Sequence, residues 1–156
     1  MADKGKRDIN MAIKLLKNNK KDLLDLLLLG DEQESMIDKY LEQGDMFVLA
    51  EGEVKAECVV TREAPGIYEL KNIAVWPECQ RQGYGKSLIE NLFTHYSDCN
   101  ILLAGTGDCP SALAFYTSCG FRESHRVKNF FRDNYDHPIF EAGIQLVDMV
   151  YLKKER

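Results

Sequence analysis

The chain predicts an α+β fold, a mixed and mostly antiparallel sheet of six to seven strands flanked by about four helices, on three observations. Short apolar runs between residues 47 and 75 are punctuated by tight turn signals, as in a meander of neighbouring strands. Residues 70 to 97 run from an apolar strand through a glycine turn into an amphipathic helix without a gap. Beyond them, strand and helix patterns alternate to the end of the chain. The 156 residues contain no Pro- or Ser-rich linker, low-complexity tract or internal repeat, so 1–156 is expected to be a single domain. Such a length buries roughly two thirds of its unfolded surface, enough for a core without staples.

Taken in order, Ile9 to Leu16 carries apolar residues at 9, 11, 13 and 15, the period of an edge or first strand, broken by Asn18 and Asn19. Leu23, Leu24 and Leu26 to Leu28 predict a helix stopped by Gly30, and Met36, Ile37, Tyr40 and Leu41 a second stopped by Gly44. Phe47 to Ala50 and Val54 to Thr61 form a hairpin across Glu51-Gly52-Glu53, and Ala64-Pro65-Gly66 turns the chain into the long strand Ile67 to Val75. A helix over 83–97, a strand Ile101 to Thr106, a helix over 110–118, a strand Phe121 to Phe131 and a last strand from about Ile144 to Leu152 complete the order.

The stretch at 70–97 organises the rest. Ile73, Ala74 and Val75 read as a buried strand end, and Pro77 stops the ladder because it has no amide hydrogen. From Lys86 on, Leu88, Ile89, Leu92, Phe93 and Tyr96 recur on one helical face. The glycines therefore sit at a helix N-terminus, where unpaired amides and the positive end of the helix dipole collect, and the stretch is a candidate phosphate cradle. Gly85, Lys86 and Ser87 imitate the end of a nucleotide-triphosphatase loop, but position 80, where that loop needs glycine, is Gln. Gly83 and Gly85 imitate a dinucleotide fingerprint, but its third glycine position is Leu88, and no acidic residue ends a following strand at the required distance.

The pattern Gln-x-x-Gly-x-Gly, here Gln80, Gly83 and Gly85, resembles the pyrophosphate loop of the GCN5-related N-acetyltransferases (GNAT), which bind acetyl-CoA. Ser111 to Phe121, SALAFYTSCGF, is similar to that family's second cofactor segment, matched by Ala112, Phe115, Tyr116, Gly120 and Phe121. Tyr116 lies 31 residues beyond Gly85, the distance that helix, strand and turn need. The resemblance covers about residues 45 to 121. The tail, NFFRDNYDHPIFEAGIQLVDMVYL, also resembles a bacterial subgroup of small acetyltransferases.

The resemblance implies acetyl transfer from acetyl-CoA directly to a primary amine of a small molecule, peptide or protein. That chemistry needs a held cofactor, a neutral amine, a stabilised oxyanion and a proton for the departing thiolate. The cofactor set expected on this basis is Gln80, Arg81, Gln82, Gly83, Tyr84, Gly85, Lys86 and Ser87 for the diphosphate, with Ile73, Ala74 and Val75 beside pantetheine and supplying an oxyanion amide. Tyr116 corresponds to the family's general acid toward the CoA sulfur, and Glu69, four residues before Ile73, to its amine base. Two positions depart from the family pattern. An alternative base position, twelve residues before the tyrosine, is Ala104, and the usual Asn seven residues before it, which touches cofactor or substrate backbone, is Cys109. Thr106 or Asp108 is then an alternative contact. A longer-chain acyl-CoA transferase and a non-catalytic CoA-binding sensor remain open as alternatives.

A net charge of −5 and a pI near 5.3, with no long Lys or Arg block, disfavour nucleic acid as a partner. The leucine run Leu26 to Leu29, like every other apolar run, is too short for a membrane span, and a cytoplasmic protein is expected. Five cysteines at wide spacings suit reduced thiols rather than a disulfide frame or a metal site. His95 and His125 read as surface residues. His137 with Asp133, Asp136 and Glu141 reads as a solvated loop or an acidic acceptor pocket, and Asp148 as a backbone partner or a solvent-facing residue. Homodimers are common in the family and are an option here.

Overall fold

The computed structural model describes residues 13–156, so the 9–12 part of the first expected strand lies outside the described residues. The chain runs β1 (Ile13–Leu16), α1 (Leu24–Gly30), α2 (Glu34–Ile37), β2 (Asp45–Glu51), β3 (Glu53–Ala64) and β4 (Ile67–Val75). It continues through α3 (Tyr84–His95), β5 (Ile101–Gly107), α4 (Pro110–Ser118), β6 (Arg122–Val127), α5 (Phe130–Asn134), β7 (Phe140–Glu141), β8 (Ile144–Gln145) and β9 (Met149–Glu155). Seven strands form one sheet in the order β1-β2-β3-β4-β5-β9-β6, and β7-β8 is a separate hairpin. Every neighbouring pair in the large sheet is antiparallel except β4 with β5. The expected α+β class holds, with seven strands in the large sheet and five α-helices among the described residues.

Alternation along the strands builds a core on each face. Ala56, Cys58, Val60, Leu70, Leu102 and Ala104 pack against Leu88, Ile89 and Leu92 of α3 and against Tyr116 of α4. Each of those three aliphatic side chains on α3 is wholly buried and contributes about 1.5–3 kcal/mol. On the opposite face Met46, Val48 and Val59 meet Leu27, Ile37, Tyr40 and Leu41 from the α1–α2 segment. All five cysteines are buried and unbonded, as expected of reduced thiols. No helix among the described residues is long and apolar enough to cross a membrane.

Two C-terminal expectations are corrected. The strand expected over 121–131 ends at Val127, because Asn129 adopts a left-handed backbone (φ 58°) and the aromatic run that follows coils into α5. Asp148 satisfies a backbone group there, accepting from the Asn129 amide at 2.9 Å. The strand expected from Ile144 divides: its first residues turn back on β7 through Ala142 (φ 50°) and Gly143 (φ 78°), a left-handed pair that suits a tight hairpin, and β9 starts only at Met149.

Candidate active site

Strands β4 and β5 pair in parallel only over Ile67–Leu70 against Ile101–Ala104. Beyond that they part. From Lys71 to Val75, β4 keeps β3 on one side and has no strand partner among the described residues on the other, while Gly105 to Gly107 of β5 pair with β9 alone. The gap makes an edge at Ile73, Ala74 and Val75 of the kind that can receive an extended ligand as an added strand.

The wider end of the gap leads to the glycine turn. Gln80 Nε2 donates to Val75 O at 3.2 Å and ties the turn back to the strand. Arg81 (φ 64°) and Gly83 (φ 84°) are both left-handed, and the first backbone bond of α3 runs from Ser87 N to Gly83 O at 3.0 Å. The amides of residues 81 to 86 meet no acceptor among the described residues. Left-handed residues followed by a helix start make a concave nest of amide hydrogens, an anion site by geometry alone. The two glycines serve different ends. Gly83 supplies the backbone conformation, whereas a Cβ on buried Gly85 would lie 2.9 Å from Phe115 Cζ, so this glycine lets α3 close onto α4. Tyr84 is buried in the core, while Arg81, Gln82 and Lys86 are exposed and Ser87 is half-buried.

Helix α4 opens with Cys109 as N-cap and Pro110 in its first turn, and it carries Tyr116 against the sheet. The ring packs edge-on to Phe115 and Phe121 at 5.2 and 5.3 Å. Its hydroxyl donates to no group among the described residues, and burial pushes the phenol above its ordinary value. It therefore holds its proton at neutral pH and has it to offer. The Cys109 thiol is wholly buried beside Phe131, Ile139 and Leu146 and lies 3.3 Å from Ser111 Oγ, so its side chain faces the core rather than an open site.

Glu69 follows the opposite alternation to Leu70 and so faces the other side of the sheet from Tyr116. Its Oε2 lies 2.9 Å from Lys71 Nζ and accepts from Tyr151 Oη at 3.3 Å. The Tyr151 hydroxyl is pushed up to about 12 by burial and by the Glu69 charge, and its ring stacks on His125 at 4.8 Å. Glu69, Lys71 and Tyr151 line a cavity of about 560 Å³, whose walls include Met36, Tyr40, Gly105, Phe130, Tyr135 and Met149. Glu69 is only 8% exposed, so a carboxylate there works in a partly dehydrated setting.

Several expected contacts fall elsewhere. Asp136 pairs with His137 at 2.5 Å beside a separate, smaller depression, and neither these residues nor Asp133 and Glu141 line the main cavity. Asp108 is taken up by Arg126 at 2.7 Å. His95 and His125 are exposed, as expected. Sequence reasoning missed Asp31, Lys71, Tyr135 and Tyr151; Lys71 and Tyr151 are polar residues within apolar strand runs, whereas Asp31 and Tyr135 lie in polar stretches that carry no such signal. No cluster of metal-ligating side chains occurs among the described residues.

Comparison with known proteins agrees with this geometry. Residues 42–123 match the acetyltransferase (GNAT) domain family. The chain is 35% identical over 146 residues to YvbK, an uncharacterised N-acetyltransferase of Bacillus subtilis, covering 91% of this chain and 94% of the relative. A Bacillus subtilis acetyltransferase solved in complex with CoA is 34% identical with a TM-score of 0.83, over 92% of this chain and 97% of that one. A GNAT family acetyltransferase from Elizabethkingia anophelis with acetyl-CoA bound is 33% identical with a TM-score of 0.83, over 93% and 99%. A split sheet with an amide-lined turn at its mouth, and relatives of this similarity along most of their length, lead to one conclusion: the chain belongs to the GNAT acetyltransferases, enzymes that take acetyl-CoA as their co-substrate.

Proposed function

We propose that the protein transfers acetyl directly from acetyl-CoA to an amine that enters through the cavity around Glu69. The observation that carries this reading is the parting of β4 from β5, with an amide-lined turn following the end of β4 and a carboxylate-bearing cavity lined by Glu69 where the two strands still pair. The diphosphate rests on the amides of residues 81 to 86, with Gln80 holding the turn and Arg81, Gln82, Lys86 and Ser87 at its edge. Tyr84 and Gly85 contribute main chain, since the ring of the first is buried and the second has no side chain. Pantetheine lies along Ile73, Ala74 and Val75, and the thioester oxygen receives an amide of that edge as negative charge develops on it. The contribution of Cys109 is confined to its backbone and to shaping the start of α4.

Glu69 takes the proton of the incoming ammonium, directly or through a water, and Lys71 and Tyr151 hold the carboxylate in place. The neutral amine attacks the thioester carbon, the tetrahedral intermediate collapses, and Tyr116 gives its proton to the departing CoA sulfur. The acetyl group never resides on the enzyme. Five buried, unbonded thiols support a reducing, cytoplasmic setting. The direct experiment is a thiol-release screen of purified protein with acetyl-CoA against polyamines, aminoglycosides, amino acids and N-terminal peptides. Amine-dependent CoA release is the expected result; tight acetyl-CoA binding without release for any acceptor would instead identify a CoA sensor.

A further inference from the structure

Asp31, the residue after α1, lines the same cavity as Glu69 and is held there by two tyrosines. Its Oδ1 accepts from Tyr135 Oη at 2.6 Å, from a segment 104 residues further along the chain, and its Oδ2 accepts from Tyr40 Oη at 3.0 Å. Tyr40 is fixed in turn by Asn72 Nδ2, which donates to its oxygen at 3.1 Å and to Leu27 O at 3.0 Å. This carboxylate is built into place. It also lacks a counter-ion: among the described residues no Lys, Arg or His pairs with Asp31, whereas Glu69 has Lys71, Asp98 has Arg62 and Asp108 has Arg126.

Burial raises the Asp31 pKa while the two hydroxyls favour its charged form, and Glu32 adds negative potential beside it. Lys39 and Arg62 also line the cavity, but both are exposed. The rings of Tyr40, Phe130 and Tyr135 share the cavity wall, and aromatic faces beside a carboxylate receive an ammonium well. Met36, Leu70 and Met149 supply apolar wall for methylenes.

Resting on the acetyl-transfer reading above, we propose that Asp31 binds a second cationic group of the acceptor, so that the preferred substrate is an aliphatic diamine or longer polyamine. One amine meets Glu69 and is acetylated; the other sits against Asp31 and the three rings.

The test compares 1,4-diaminobutane with n-pentylamine, a chain of equal length and single charge, in the wild-type protein with acetyl-CoA. The expected result is a kcat/KM at least about tenfold higher for the diamine. Asp31→Asn removes that advantage through KM and changes the pentylamine value less than about twofold, while Tyr135→Phe, which keeps the carboxylate, retains the preference. Equal rates for the two amines in the wild-type protein, or equal losses for both in Asp31→Asn, overturn the proposal. Calorimetry of both amines on CoA-loaded protein separates the two readings. Tighter diamine binding that Asp31→Asn erases, with no acetyl transfer to either amine, would remove the transferase reading and leave the Asp31 site standing.

Discussion

Residues 81 to 86 offer an anion little but main-chain amides, whereas the cavity around Glu69 is assembled from side chains that the sequence scatters from Asp31 to Tyr151. A main-chain site tolerates exchange of the side chains around it but not a change of backbone path. A side-chain site behaves the other way round. On the proposed assignment of cofactor to the turn and acceptor to the cavity, the first end is built to tolerate side-chain exchange and the second to change with it.

This contrast can be broken most directly at Gly85. A Cβ there lies 2.9 Å from Phe115 Cζ, so Gly85→Val pushes α3 from α4 and displaces the nest. Calorimetry should show acetyl-CoA affinity falling about 100-fold, with a loss of about 1–3 kcal/mol in stability. Arg81→Ala and Lys86→Ala, which remove only exposed charge, should each cost less than about fivefold. Losses as large as that of Gly85→Val would mean that side chains, not amides, hold the diphosphate.

At the cavity the balance is reversed. Glu69→Gln is expected to lower kcat/KM at pH 7 by about 100-fold with cofactor affinity unchanged, and a weaker acetyl-CoA complex in that variant would erase the division between the two sites. Tyr116→Phe should lower kcat about 10- to 100-fold, again with acetyl-CoA binding within about twofold, as read by stopped assays and calorimetry. Wild-type turnover would remove its role as acid.

A smaller effect concerns Glu57, which is wholly buried on β3 and has no hydrogen-bond partner for either oxygen among the described residues. Burial pushes its carboxyl well above the ordinary 4.5, so the folded protein keeps a proton that the unfolded chain releases as pH rises past that value. The contribution of Glu57 to stability therefore declines from about pH 4.5 upward, toward the folded pKa. Glu57→Gln has no such proton to lose, and its stability relative to wild type should rise by up to about 1.4 kcal/mol per pH unit in denaturant titrations across that window. A constant difference would show that Glu57 ionises alike in both states.

The fold was legible where local signals agree with the tertiary result. Period-two runs marked the meander, and Gly83 and Gly85 marked the start of α3, because a left-handed turn leaves its signature in adjacent residues. The C-terminal third was less so. Phe130 and Phe131 favour a strand by propensity, yet tertiary packing of Phe131 with Cys109, Ile139 and Leu146 draws them into a short helix. Glu69 was legible as a polar residue on a long strand, with Lys71 two residues on along the same face, but its partner Tyr151 becomes visible only when β9 is set beside β5. Asp31 and Tyr135 meet across 104 residues, and no local pattern announces such a meeting.

The seclusion of the five thiols has a chemical consequence. Burial raises the pKa of Cys58, Cys99 and Cys119, so these sulfurs are poor nucleophiles as well as hidden ones. An enzyme whose donor is a thioester is thus shielded from one side reaction, acyl transfer to its own thiols.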